Sequence, residues 1–281
     1  MDICPLEHIP VSALVDVLNR AFADYVVPLQ VDEAQLRRKL VVEGIDLELS
    51  RGAFDEGRLV GFMLHGVDEW EGERLLYNGG TGVLPAYRRR GFVSSTYREL
   101  QPELRRRDFR GCLLEVIAHN DPAVSAYEKT GFQYLRTVSC LQGRPLIEGD
   151  IDIEARLAPL PADCYDRLPD YWTFRPTWQY GPGALRRGAA FFKAFGLFRD
   201  ELLLVYGVLD DAKGRVQSFG VHPEWRGKGL GRRLFREFAD TCDGPLTVIN
   251  VDSEDAGTLE FLRRLGFRTQ FQQYEMKWLL G

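Results

Sequence analysis

The chain repeats itself. The run GVLPAYRRRGF, Gly82 to Phe92, aligns without a gap on GVHPEWRGKGL, Gly220 to Leu230, at an offset of 138 residues. Further on, AYEKTGF (Ala126 to Phe132) aligns on FLRRLGF (Phe261 to Phe267) at an offset of 135. Two matches in the same order mean two copies of one supersecondary plan. Between the blocks each half carries a helical stretch and then a short apolar run, so the shared order is strand, turn, helix, strand, helix, strand. That order implies parallel pairing around a crossover. The expected fold class is α/β, with an α+β mixed sheet in each of two tandem domains, 1–143 and 144–281. The 281 residues suffice for two cores.

Periodicity fills in the elements. Ser12 to Ala23 and Asp32 to Glu43 read as helices. GAFDEGRLVGFMLHG and ERLLYNGGTGVLP read as strands joined through an acidic connection, Asp68 to Glu73. After the first repeated block, Val93, Thr96, Tyr97, Leu100 and Leu104 fall at helical spacing, and Pro102 is expected to bend or weaken that helix. LLEVI, Leu113 to Ile117, is a buried strand. The second half has a strand in DIDIEARL, an aromatic-rich irregular stretch YWTFRPTWQYGPG, and strands in AAFFKAFG, ELLLVYGVL, GRVQSFGVHP and FQQYEMKWLL.

Charge narrows the function. A formal net charge of -5 and a pI near 5.6 argue against a nucleic-acid binder, which needs a surplus of Lys and Arg on one face. MDICPLEHIPVSALVDVLNR lacks a charged start followed by an apolar run, and no segment approaches the roughly 18 apolar residues of a membrane span. A cytoplasmic protein with no membrane partner is expected; the oligomeric state is left open. Five cysteines, an odd number with no CxxC and no His at zinc spacing, read as free thiols, and no metal site is expected.

The repeated block holds an anion cradle. Arg226, Gly227, Lys228, Gly229, Leu230 and Gly231 lie directly between a predicted strand and an amphipathic helix. Glycines there let successive backbone N–H groups converge, and the helix start adds partial positive charge for phosphate oxygens. Arg or Gln, two residues, Gly, one residue, Gly or Ala, all preceded by Val-x-Pro, resembles the acyl-CoA pyrophosphate loop of the GNAT superfamily of N-acetyltransferases. The resemblance covers nearly the whole chain and implies two GNAT-like acyl-CoA N-acyltransferase domains with acetyl-CoA as acyl donor. Val221 and Arg226 to Gly231 are then the cofactor-binding candidates of the second half. In the first half they are Val83, Arg88, Arg89, Arg90, Gly91, Phe92 and Val93, where Val93 departs from the small residue of the family pattern.

Acetyl transfer to an amine sets the remaining demands. A lysine-like amine with pKa about 10.4 is only ~1 part in 2,500 neutral at pH 7, so a general base helps it. A departing thiolate leaves more readily with an acid within hydrogen-bond reach. The first half offers Glu115 on LLEVI and Tyr127 on a helix opened by Asp121 as N-cap and Pro122 at N1. LEVIAHNDPAVSAYEKTGF resembles the ribosomal-protein N-terminal acetyltransferase branch of the GNAT family. That resemblance assigns Glu115 as base, Tyr127 as acid, and Asn120 to the CoA arm. At the 135 offset the second half has Asn250 and Leu262 instead, so neither group is retained. The resemblance also implies that backbone N–H groups of a splayed strand, around Thr81 to Val83 or Phe219 to Val221, meet an oxyanion.

Two peripheral clusters stay open. Tyr171, Trp172, Phe174, Trp178 and Tyr180 either line a substrate cleft or acyl-chain pocket in the second half or pack between the halves. Phe22, Asp24 and Tyr25 resemble the acceptor-binding wall of GNAT domains, or form a surface helix end. The expected activity is N-acetyl transfer to a primary amine of unspecified identity by direct attack in a ternary complex, with the first half catalytic. The alternatives are a second-half active site, resembling mycothiol synthase, and a CoA-binding regulatory module without turnover.

Overall fold

Buried residues at helical spacing decide where the helices lie. In the computed structural model, which describes residues 1–24, 29–147 and 154–280, Leu14, Val17, Leu18 and Ala21 face the core from one stripe of the first helix. The first part of the chain runs β1 (Asp2–Pro5), α1 (Val11–Ala21), α2 (Glu33–Glu43), β2 (Ile45–Asp55), β3 (Arg58–Trp70), β4 (Glu73–Val83), α3 (Phe92–Arg106), β5 (Gly111–Ile117), α4 (Asp121–Thr130) and β6 (Gln133–Gly143). Then follow β7 (Arg156–Pro159), a 3-10 stretch (Ala162–Tyr171), α5 (Pro182–Arg187), β8 (Lys193–Arg199), β9 (Leu202–Asp210), β10 (Arg215–Val221), α6 (Leu230–Thr241), β11 (Leu246–Asp252), α7 (Ala256–Arg264) and β12 (Arg268–Leu279).

Local chemistry sets several boundaries. Asp32 and Gln35 form a reciprocal capping box that starts α2, and left-handed Gly44 ends it. The acidic connection expected at Asp68 to Glu73 is mostly strand: Trp70 pairs with Glu73 across Glu71 and Gly72, both at positive φ, as a two-residue hairpin turn requires. Pro102 does not break α3, which continues to Arg106. Pro102 and Arg98 are both exposed, so the Arg98 carbonyl that loses its helical partner faces solvent. AAFFKAFG becomes a 3-10 turn at Ala189–Phe191 followed by β8. Of the strand expected in DIDIEARL, residues 150–153 lie outside the described residues and β7 begins at Arg156.

The chain forms two units, Met1–Leu135 with Glu275–Gly281, and Arg136–Tyr274. The division expected at 143/144 therefore falls at Leu135/Arg136, and the last seven residues count with the first unit. The physical reason is strand pairing. In the first unit the sheet order is β1-β2-β3-β4-β5 followed by the end of β12; in the second it is β6-β11-β10-β9-β8-β7. The closing strand of the first unit thus comes from the end of the chain, where Trp278 packs on Tyr97 and Phe132 and the Leu280 N–H donates to the Arg110 carbonyl at 3.0 Å. In the second unit β6 pairs antiparallel with β11 from Leu246 opposite Gly143 to Asp252 opposite Val138. Its core sets Leu234, Phe235 and Phe238 of α6 against Leu209, Val216, Val248 and Phe267.

Each unit is a mixed α/β sheet whose first strands pair antiparallel and whose central pair, β4 with β5 and β10 with β11, is parallel. All five cysteines are free thiols. No helix among the described residues is long and apolar enough to cross a membrane.

Candidate functional site

The parallel pair opens in each unit. β4 and β5 pair only from Leu75 opposite Gly111 to Tyr77 opposite Leu113, and the β3–β4 register slips between Gly80 and Asn78, leaving Gly79 as a bulge. β10 and β11 pair only at Arg215 opposite Thr247 and Val216 opposite Val248, with a register shift between Val216 and Ser218. The β4–β5 pairing stops just before Glu115, and the β10–β11 pairing just before Asn250, which occupies the corresponding position.

In the first unit Glu115 lies on β5 beyond the last paired residue, and the buried Tyr77 hydroxyl donates to its Oε2 at 2.5 Å. Tyr127, buried on α4, accepts from Asn78 Nδ2 at 3.5 Å; the same amide nitrogen donates to Tyr97 Oη at 3.2 Å. Asn78 Oδ1 accepts the Gly80 N–H at 3.1 Å, which ties the amide to the bulge. Behind Tyr97 stands His65, fully buried: its Nδ1 lies 2.9 Å from the Leu49 carbonyl and its Nε2 3.4 Å from Tyr97 Oη. A carbonyl only accepts, so Nδ1 carries the proton and Nε2 faces the phenol as acceptor. Burial, aided by the Arg51 charge and opposed by the Leu49 bond, lowers the imidazole pKa to about 4. Burial likewise pushes the Tyr97 phenol well above its ordinary range.

The first helix start of the repeat is built around left-handed residues. Arg89 and Gly91 have φ of 63° and 78°, Gly91 is the N-cap of α3, and no side chain caps the first turn. Arg88 turns inward: Nε donates to the Val83 carbonyl, one terminal nitrogen to the Ala21 carbonyl, and both terminal nitrogens to Asp24 at 2.6 and 2.7 Å. Arg90 lies over the Tyr87 ring, and the buried Phe92 anchors the helix start. Val93 is half-buried. Asp24 is thus a strut for the loop; Tyr25 lies outside the described residues. Asn120, not Asp121, is the N-cap of α4, its side chain accepting the Ala123 N–H at 3.3 Å, and Asp121 and Pro122 open the helix proper.

The second loop repeats the design. Gly227 and Gly229 have φ of 75° and 88°, Gly229 is the N-cap of α6, and again no side chain caps it. Arg226 holds the Val221, Tyr171 and Trp172 carbonyls at 3.1–3.2 Å. Both motif arginines therefore brace their loops through their guanidinium groups. Lys228 lies over the Trp225 ring. A Cβ on Gly231 would come within 2.9 Å of the Phe261 ring, so the missing side chain at this position makes room for α7. The expectation tied that small residue to the ligand; the structure adds a packing cause.

A cavity of about 1220 Å³ extends from this loop past Val221, Val216 and Val248 to Tyr171, Trp172, Phe174 and Tyr180. Of the aromatic cluster, Tyr171, Trp178 and Tyr180 are buried, and Trp178 is the member that does not line the cavity. Asn250, at the offset position of Glu115, sits at φ 62° in β11 and is buried: Nδ2 donates to Thr177 Oγ1 at 2.9 Å and Oδ1 accepts from Gln273 at 2.7 Å. Leu262, at the position of Tyr127, is core.

Sequence pattern marks none of Tyr77, Asn78 and His65 as site residues, and marks Tyr97 only as part of the helix stripe. The Asn-Gly-Gly run inside an otherwise apolar strand was the available signal, since glycine inside a strand marks a bulge.

Comparison with known proteins agrees with this architecture. Residues 14–132 match the acetyltransferase (GNAT) family, and residues 200–269 match an acetyltransferase (GNAT) domain. The N-alpha-acetyltransferase RimI of Mycobacterium tuberculosis is 36% identical over 53 residues, 19% of this chain and 34% of that protein, so the match spans about a third of its length. A tandem GNAT protein from the clavulanic acid biosynthesis pathway superposes with a TM-score of 0.72 at 14% identity, over 100% of this chain and 98% of the other. A GCN5-related N-acetyltransferase from Sphaerobacter thermophilus does so with a TM-score of 0.71 at 12% identity, over 99% and 95%. At these identities the structural likeness concerns the fold.

Proposed function

The chain belongs to the GNAT family of acetyltransferases and carries two of its domains, and from that premise we propose that it is an acetyl-CoA-dependent N-acetyltransferase whose first unit transfers the acetyl group to a primary amine. The observation that carries this reading is the opening between β4 and β5, with Glu115 beyond the last paired residue of β5 and Tyr127 hydrogen-bonded to Asn78 beyond the last paired residue of β4.

The residues present fit the donor. Each unit has a helix of 12 or more residues that starts, without a side-chain cap, after a left-handed glycine, which aims first-turn N–H groups at an anion. In the first unit the backbone of Arg89 to Val93 would hold the diphosphate while Arg88 keeps the loop shape. In the second, Gly227 has nothing within 4 Å of a notional Cβ, leaving room for the same group. Acetyl-CoA supplies an activated acyl group on a thiol able to leave.

Glu115, held by Tyr77, takes a proton from the attacking amine, and Tyr127 gives one to the departing sulfur. Direct attack with acceptor and donor bound together belongs to this reading, and Cys112 on β5, buried with its thiol pKa raised to about 12, is unsuited to carry the acyl group. A cytoplasmic setting and a small-molecule or protein amine as partner belong to this reading.

Thiol release with a panel of primary amines tests it. Glu115→Gln and Tyr127→Phe are each expected to lower kcat by about 100-fold or more, within the range of general acid–base catalysis. Wild-type rates in both variants overturn the assignment. A second reading, with turnover in the second unit, is favoured by its large cavity; in that case both variants leave thiol release intact and Gly229→Glu abolishes it.

A further inference from the structure

We infer that the second unit binds a CoA thioester whose acyl group is an apolar chain longer than acetyl, seated in the aromatic end of the cavity. This rests on the reading of the Arg226–Gly231 loop as a diphosphate site and goes beyond it by assigning the acyl group.

The cavity is continuous from the loop, through the opening between β10 and β11, to the segment Tyr171–Tyr180. Its volume of about 1220 Å³ spans both the loop end and the aromatic end, so a ligand anchored at the loop can extend toward the rings.

Most side-chain polar atoms of the far end already have partners. Tyr171 Oη donates to the Leu203 carbonyl at 2.9 Å, and Trp172 Nε1 donates to Tyr206 Oη at 2.9 Å, itself shared with Ser218 Oγ. The Asn250 amide is used at both ends. Thr258 Oγ1 donates to Asp255 Oδ2 at 2.8 Å, so the 2.9 Å contact with Thr173 Oγ1 is donated by Thr173. What a ligand meets here is mainly ring faces and aliphatic groups, including Phe174, Phe219, Pro176 and Ile249, with the Gln217 amide among them.

The carboxylates bear on the choice between an amine and an acyl chain. Two line the cavity. Asp255 accepts the Thr258 N–H at 3.0 Å as well as its hydroxyl, and Glu260 is held by Arg263 and Arg264 at 2.6–2.8 Å. Glu260 is paired with the two arginines, while Asp255 keeps a negative charge that is partly offset by the N-terminus of α7, which it caps, so a cationic amine entering this end gains little and sheds its water at a cost. An alkyl chain pays no such penalty and gains by leaving water.

Isothermal titration of the full chain with CoA and with acetyl-, butyryl-, hexanoyl- and octanoyl-CoA tests this. Affinity is expected to rise about threefold per added methylene until the chamber is full. Ile249→Trp, which fills the chamber from β11, should flatten the series while leaving acetyl-CoA within about twofold; Phe174→Ala, which enlarges it, should move the optimum to a longer chain. Should Ile249→Trp lose its fold by circular dichroism, Phe174→Ala alone reads the same wall. A flat series with measurable CoA affinity overturns the acyl-chain site alone, as does a slope untouched by the wall variants. No affinity for any thioester overturns both this site and the loop reading beneath it.

Discussion

The Tyr77 hydroxyl donates to Glu115 Oε2 at 2.5 Å, joining the last residue of β4 that pairs with β5 to the carboxylate two residues past the end of that pairing. The bond fixes the carboxylate at the point where the two strands part. Tyr77→Phe removes the donor, a loss of about 1.5–3 kcal/mol for a bond to a charged group. If Glu115 is the base, kcat falls by about 10- to 100-fold with KM little changed. The measurement that checks the pairing is the double variant: Tyr77→Phe with Glu115→Gln is expected to be no slower than Glu115→Gln alone.

Arg89 and Gly227 occupy corresponding left-handed positions, φ 63° and 75°. A side chain there costs about 1–2 kcal/mol in conformational strain, part of which glycine gives back as unfolded-chain entropy. Arg89→Gly should raise the stability of the chain by about 0.5–1 kcal/mol, and Gly227→Arg should lower it by a similar amount, both read as shifts in the urea midpoint.

Gly231 and Phe261 are matched in shape, and the corresponding pair in the first half is Val93 with Ala126. The smaller residue has changed sides. Gly231→Val drives a branched side chain into the Phe261 ring and should destabilise by about 1–3 kcal/mol. Combining it with Phe261→Ala should recover about 1 kcal/mol or more relative to the sum of the two, a coupling that a double-mutant cycle in urea measures directly.

His65 makes the first unit acid-sensitive. Its pKa is near 6.5 when unfolded and about 4 when buried, so between these values the unfolded chain takes up a proton that the folded chain refuses. The stability it contributes is fully present above about pH 6.5 and is lost as pH falls towards 4, by about 2–3 kcal/mol at pH 4.5. Denaturant midpoints at pH 7.5 and 4.5 should show that much more acid loss for wild type than for His65→Gln.

Much of this architecture was legible because it is written in local pattern. The Gly-rich turns, the stripes of α1 and α6, and the apolar run of β5 each announce themselves within about fifteen residues. What escaped is non-local. Tyr77 and Glu115 are 38 residues apart, and nothing in LLYNGG or LLEVI names the other as partner. Arg88 and Arg226 carry the right motif spacing, yet direction is not a property of spacing: both side chains turn away from the loop mouth onto backbone carbonyls. Pro102 signals a break in sequence but not in the fold, because a proline on a solvent face leaves only a hydratable carbonyl. The assignment of the last strand was hidden for the same reason as the tyrosine, since strand neighbours are chosen across the chain.

That last strand has a consequence for synthesis. Residues 275–279 complete the sheet begun by residues 1–135, so about 140 residues must be translated between the two parts. At about 5–20 residues per second, a nascent first unit waits roughly 7–28 s on the ribosome with β5 as a bare edge. Unpaired edges recruit foreign strands, so in the interval before Trp278 arrives the newborn chain depends on slow aggregation or on a chaperone that shields the gap.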